Sequence, residues 1–144
     1  MKEFAMPFRP APCDAIVVNC SDHDFRTEFE IFIRMHLRIR HPHQISLPGG
    51  LLDVGIDPGQ PGATTLVDKI TCILSHVERP NRLVIIGHSG CKWAKHVGLA
   101  GEAYPTAMAN AVQTLRDTLP LDQISLEHYV ARVEGERIHF EEVK

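Results

Sequence analysis

Four consecutive aliphatic residues, Leu83-Val84-Ile85-Ile86, run directly into Gly87-His88-Ser89-Gly90-Cys91, and this abrupt change of chemistry constrains the chain more than any other stretch. An uninterrupted aliphatic run suits a strand covered on both faces, as in a parallel sheet with helices above and below. Gly87 and Gly90 permit a tight turn at the strand's exit, so that His88 and Cys91 aim at one point. Those two side chains are half of a metal site. A second stretch has the same design: Ala15-Ile16-Val17-Val18-Asn19 reads as another buried strand and ends at Cys20-Ser21-Asp22.

Between and after these strands the pattern alternates. Phe25, Phe29, Phe32, His36 and Ile39, with Ile33 and Leu37 beside them, mark an amphipathic helix from about Asp24 to Ile39, capped by Ser21 or Asp22. His41-Pro42-His43 breaks it, and Gln44 to Leu47 reads as a short strand. From Pro48 to Gly62 the glycines and prolines predict a connection without regular structure, a lid or a mobile loop. A helix is predicted from Thr64 to Glu78, ended by Pro80-Asn81. After Cys91 come a short helical piece carrying Trp93 and Val97, and a helix from Pro105 to Leu119 that Pro120 stops. Two strands, Glu127 to Val133 and Arg137 to Glu142, close the chain as a hairpin through Glu134-Gly135-Glu136. The result is an α/β fold, with a mainly parallel β-sheet of about four strands, a C-terminal hairpin strand, and helices on both faces. At 144 residues the chain reads as one domain, 1–144.

Sites in such sheets form beyond the carboxyl ends of strands, where neighbouring strands send their helices to opposite faces. If the first and third strands are adjacent, Cys20 and Asp22 meet His88 and Cys91 there. Cys13 and His43 lie at the other end of their strands, Cys72 and His76 fall on a helix, and His36, His128 and His139 read as packing or surface residues. Two thiolates and an imidazole suit zinc, which accepts S and N donors in a tetrahedron, and Asp22 could complete the set.

Composition narrows the partners. A net charge of −3, with 44% hydrophobic and 23% charged residues, gives no general attraction for nucleic acid or an acidic membrane. Residues 1–12 lack the apolar core of a signal peptide, and no run approaches membrane-spanning length. A cytoplasmic protein is expected, and its four cysteines read as thiols or ligands rather than disulfides.

Cys20-Ser21-Asp22 and His88-Ser89-Gly90-Cys91 resemble the Cys-X-Asp-X-Arg and His-X-X-Cys elements of the β-class carbonic anhydrases. The order of strands and helices is compatible with that family along nearly the whole chain. The resemblance implies Zn²⁺ on Cys20, His88 and Cys91, and a lyase of the carbonate dehydratase type in which zinc-bound hydroxide attacks carbon dioxide to give bicarbonate. It also implies a homodimer or dimer-based oligomer. Two thiolate ligands donate more charge than imidazoles, so activity favouring alkaline pH is expected.

The likeness departs at position 24, where Asp24 stands in place of the family's Arg. That Arg keeps the Asp off the metal, so Asp22 here either becomes a fourth ligand or is held away by another cation. Arg26, at i,i+4 from Asp22, is the candidate and Lys92 a weaker one. Lys92-Trp93 follows the second Cys where the family has small residues, and Leu47-Pro48-Gly49-Gly50 replaces its Arg-Asn-Ala-Gly. A closed Cys-Asp-His-Cys site without hydration activity is therefore one alternative. Another is a zinc hydrolase of carbonyl sulfide or carbon disulfide. Cys20 to Arg26 also fits the Cys-X5-Arg phosphatase loop, but it lacks glycine and its carboxylates repel phosphate. Gly87 to Cys91 approximates a serine-hydrolase elbow whose last glycine is Cys91.

Overall fold

The computed structural model describes residues 2–77 and 81–144. The chain runs through β1 (Ala15–Cys20), α1 (Arg26–Ile31), β2 (Pro42–Leu47), α2 (Leu52–Ile56), α3 (Pro61–His76) and β3 (Arg82–His88). It continues with α4 (Lys92–His96), α5 (Ala103–Thr118), β4 (Ser125–Glu134) and β5 (Arg137–Glu142). One sheet holds all five strands in the order β2-β1-β3-β4-β5. β1 to β4 pair in parallel and β5 returns antiparallel along β4, so the α/β architecture expected from the sequence is the one observed.

Strand parity divides the core into two layers. Ala15, Val17, Val84 and Ile86 face α1, packing on Phe25, Phe29, Phe32 and Ile33. Ile16, Val18, Leu83 and Ile85 face the other way, onto Leu52, Leu66, Ile70 and the inner stripe of α5. That stripe, Tyr104, Ala107, Met108, Ala111, Val112 and Leu115, recurs at helical spacing. Each aliphatic residue buried in these layers contributes about 1.5–3 kcal/mol relative to exposure. β1 and β3 are neighbours whose following helices, α1 and α4–α5, lie on opposite faces. The crevice predicted between them is therefore present.

Several boundaries differ from the sequence reading. The stretch from Pro48 to Gly62 is not irregular throughout. Leu52 and Val54 are fully buried, which draws α2 into the core, and Pro61 opens α3 at a position where its missing N–H costs no helix bond. The first helix ends early. It opens on a 3-10 turn (His23–Phe25), widens into a π-helical turn (Phe32–His36) and stops at Arg38, whose φ of 60° is left-handed. The Asp14 carboxylate then accepts from the Arg40 and His41 amides, each at 2.9 Å, and turns the chain into β2. α5 begins at Ala103 because Pro105, in the first turn, needs no donor. The predicted end of α3 at Glu78 and Pro80 lies outside the described residues.

Candidate metal centre

Cys20 ends β1, His88 ends β3, and Cys91 caps α4. Their ligand atoms all lie within 4.8 Å of one another, and all three residues are buried. Parity brings them from both sides of the sheet. Cys20 continues the face of Ile16 and Val18, whereas His88 lies against Phe25 of the α1 layer, ring centroids 4.2 Å apart. Asp22, His23 and Asp24 also cluster within that distance, but the latter two are exposed and the carboxylates are paired with Lys92.

The histidine is oriented for ligation. Its Nδ1 lies 2.8 Å from the Ser89 carbonyl, a contact that requires the proton on Nδ1. Nε2 is buried and, among the described residues, has no conventional hydrogen-bond partner. A buried polar nitrogen left unpaired costs about 1–3 kcal/mol, and this one lies in a cluster with two sulfurs that could hold a metal ion with it. The His88 backbone is held as well, its N–H donating to the Tyr104 hydroxyl at 3.0 Å. Burial pushes that hydroxyl's pKa upward, so it stays protonated. Gly87 is what allows this contact, because a Cβ there would collide with the Tyr104 oxygen.

The two cysteines behave as one unit. The hydrogen bond that the Cys20 thiol donates to Cys91, together with burial, holds that thiol well above its ordinary range. The same bond pulls Cys91 down to about 4, against burial and with His88 assisting. The Gly49 amide adds a donor to the Cys20 sulfur at 3.4 Å. Two sulfurs and an imidazole nitrogen clustered in this way form a donor set that fits Zn²⁺ in charge and softness.

Asp22 stands apart from this trio, its side chain 5% exposed. Burial alone would raise its pKa, but the Asp24 amide at 3.0 Å and the Lys92 ammonium at 3.3 Å outweigh that and hold it below the usual range. Both donors bind Oδ1. The cation expected from the sequence is not the one found. Arg26 is exposed at the start of α1 and, among the described residues, makes no ion pair with Asp22. Lys92 takes that place from the first turn of α4, within 3.5 Å of Asp24 as well. The Asp24 substitution thus brings its own cation.

Beside Cys20 opens a cleft of about 460 Å³, lined also by Asp22, Gly49, Lys92 and Trp93. The Trp93 indole donates to Asp53 at 2.7 Å and stacks on His96. A Cβ on Gly49 would sit 2.5 Å from its ring, and the φ of +78° at Gly49 independently favours glycine. Asp53 and Tyr104 were not legible as site residues. One lay in a stretch read as irregular, the other acts through a hydroxyl-to-backbone bond that no local pattern announces.

No protein-family model matches the sequence, and no curated protein does. Solved structures do match by fold. The β-carbonic anhydrase isoform I of Trichomonas vaginalis superposes with a TM-score of 0.56 at 13% identity, over 95% of this chain and 87% of that one. A tetrameric β-carbonic anhydrase of Sordaria macrospora gives 0.48 at 11% identity, covering 91% and 81%. The β-carbonic anhydrase CcaA gives 0.47 at 15%, covering 88% and 78%. The protein has a β-carbonic-anhydrase-like fold. Its sequence is a divergent one for that fold, with a Cys-His-Cys cluster at the carboxyl ends of two central strands.

Proposed function

We propose that this protein is a zinc-dependent, carbonic-anhydrase-like enzyme that interconverts carbon dioxide and bicarbonate, with Cys20, His88 and Cys91 as metal ligands. The observation that carries the reading is the buried, unpartnered Nε2 of His88 in a cluster with Cys20 and Cys91 whose ligand atoms all lie within 4.8 Å of one another. Zinc bound there supplies a water acidified from a pKa of about 15.7 toward about 7, hence a nucleophile at usable pH. The chain does the rest. Ser89 fixes the imidazole tautomer, and Tyr104 fixes the strand end that carries it. Lys92 and the Asp24 amide both donate to Oδ1 of Asp22 and hold the carboxylate at the cleft wall, where it would accept a hydrogen bond from a metal-activated water. Trp93 walls the cleft with an apolar surface suited to an uncharged, linear substrate.

A second reading has its own support. Two-thirds of the Lys92 side chain is exposed, and exposed pairs are weakened by salt. If Lys92 releases Asp22, the carboxylate closes a Cys-Asp-His-Cys site and the protein binds zinc without hydrating carbon dioxide. Carbon dioxide hydration across pH, on protein of determined zinc content, separates the two. Activity rising toward alkaline pH is expected. Full zinc with no hydration at any pH assigns the closed site instead, and carbonyl sulfide or carbon disulfide would then be assayed. A homodimer and a cytoplasmic location, where thiols stay reduced, complete the proposal. Among the described residues no helix is long and apolar enough to cross a membrane.

A further inference from the structure

The stretch from Gly49 to Gly55, which reads from sequence as part of a lid or mobile loop, is clasped between β1 and α5. Gly50 lies on the end of β1, where a Cβ would come within 3.1 Å of the Asn19 and Cys20 backbones. Gly55 lies so close to the Ala107 carbonyl of α5 that it has no room for a Cβ. Leu51, Leu52 and Val54 are fully buried, and the Gly49 carbonyl accepts from the Leu52 amide at 3.0 Å. Asp53, half-buried between Leu52 and Val54, receives the Trp93 indole N–H on its Oδ1. The indole is gripped elsewhere too, with Gly49 against its edge and His96 stacked on it, ring centroids 5.2 Å apart.

We propose that Trp93 sets this cleft's preference for an uncharged substrate and that Asp53 is its positioning residue, so that the stretch from Gly49 to Gly55 is a fixed brace rather than a lid. The inference rests on the function proposed above, whose substrate it concerns. Among the described residues that line the cleft, Trp93 carries the one large apolar side chain, whereas Asp22, His23, Lys92 and His96 are polar. The indole also stands close to the metal-ligand cluster, because Gly49 touches both. The Gly49 amide donates to the Cys20 sulfur at 3.4 Å, and a Cβ on the same residue would lie 2.5 Å from the indole ring. An apolar surface at that place favours a neutral molecule over an anion, which would lose hydration there and gain no donor in return.

Position matters because an unrestrained tryptophan samples several rotamers. A wall that moves among them serves substrate only for the fraction of time that it is in place, and apparent affinity falls by that fraction. The bond that prevents this is charge-assisted, about twice as strong as one between neutral groups. It is 2.7 Å long, and its acceptor is anchored by buried neighbours on both sides. Lys92 is held separately, by Asp22 and Asp24. Two consecutive residues of α4 are thus pinned by acids from different parts of the chain, one pair at the exit of β1 and the other on α2.

The chain has a single tryptophan, so its fluorescence reports this ring alone. Time-resolved anisotropy of the full chain is expected to show the wild-type indole turning only with the whole molecule. Asp53→Ala is expected to add a fast local component, and Asp53→Asn, whose amide oxygen still accepts the N–H, to stay near wild type. Carbon dioxide hydration by the same zinc-loaded proteins is expected to follow. KM rises roughly two- to fivefold in Asp53→Ala, the worth of a few tens of Å² of apolar contact, with kcat nearly unchanged and Asp53→Asn matching wild type. Trp93→Phe, which keeps an aromatic ring but has no N–H, is expected to raise KM likewise, and adding Asp53→Ala to it should raise KM no further. Circular dichroism and zinc content confirm that each variant is folded and loaded. An indole as rigid in Asp53→Ala as in wild type, a wild-type KM in Asp53→Ala or in Trp93→Phe, or a further rise in the double variant each overturns this inference alone. Zinc-loaded wild type that hydrates no carbon dioxide overturns the function proposed above and this role with it.

Discussion

Metal-free protein at pH 7 is expected to hold one thiolate, on Cys91, and one thiol, on Cys20. The size of the effect follows from the shared hydrogen bond. An ordinary thiol, with a pKa near 8.5, is about 3% ionised at pH 7. Cys91, held at about 4, is ionised almost completely, roughly a thirtyfold contrast. Far-ultraviolet thiolate absorbance, titrated downward from neutral pH after chelation, reads it directly. Subtracting a Cys91→Ala variant removes the background of Cys13 and Cys72. The wild-type difference signal should persist until the pH approaches 4. Cys20→Ala, which removes the largest cause of the shift, should move it back toward the ordinary range. Zinc uptake at pH 7 should then displace one proton from the cysteine pair rather than two. A difference signal absent at pH 7, or two protons displaced from the pair, would refute the shared-proton account of the site.

Lys92→Ala is expected to abolish most carbon dioxide hydration while zinc stays bound, because Asp22 loses its restraint, and Lys92→Arg should retain activity. Equal rates in wild type and Lys92→Ala would remove Lys92 from the mechanism. Tyr104→Phe strands the buried His88 N–H and should cost about 1–3 kcal/mol in chemical denaturation; no measurable change would mean another acceptor takes over. His128, buried on β4 with Arg116 nearby, has its pKa pushed down to about 4 by burial first and that charge second. A histidine held neutral by the fold costs nothing above about pH 6.5, and its stability contribution is lost as pH falls from there toward 4, up to about 3 kcal/mol. His128→Leu should gain by that amount on wild type as the pH is lowered through this window, and parallel stability curves would count against it. Gly49→Ala should lower activity and stability together, by about 1–3 kcal/mol for the latter, since its methyl meets the Trp93 ring at a left-handed backbone.

The two aliphatic runs made the sheet readable in sequence, because a strand buried on both faces leaves no room for polar alternation. Their shared ending in ligand chemistry made Cys20, His88 and Cys91 readable too, since strand adjacency alone brings them together. Arg26 shows the limit of helical spacing. The i,i+4 rule places two residues on one helix face, but Asp22 caps a 3-10 turn rather than opening an α-turn, so Arg26 and Asp22 do not share a face. Lys92, seventy positions from Asp22, meets it because each closely follows a cysteine of the same cluster. Leu52 and Val54 were obscured by the glycines and prolines around them, and tertiary burial overrode those local breakers.

Because the cysteine of β1 approaches from one face of the sheet and the histidine of β3 from the other, a bound ion would act as a rivet through both layers of the domain. Slack in either layer would register as a looser grip on the metal, however far from the cleft it began. Zinc affinity would therefore gauge the packing of the whole molecule, and slow loss of the ion would be the earliest sign that either layer had begun to open.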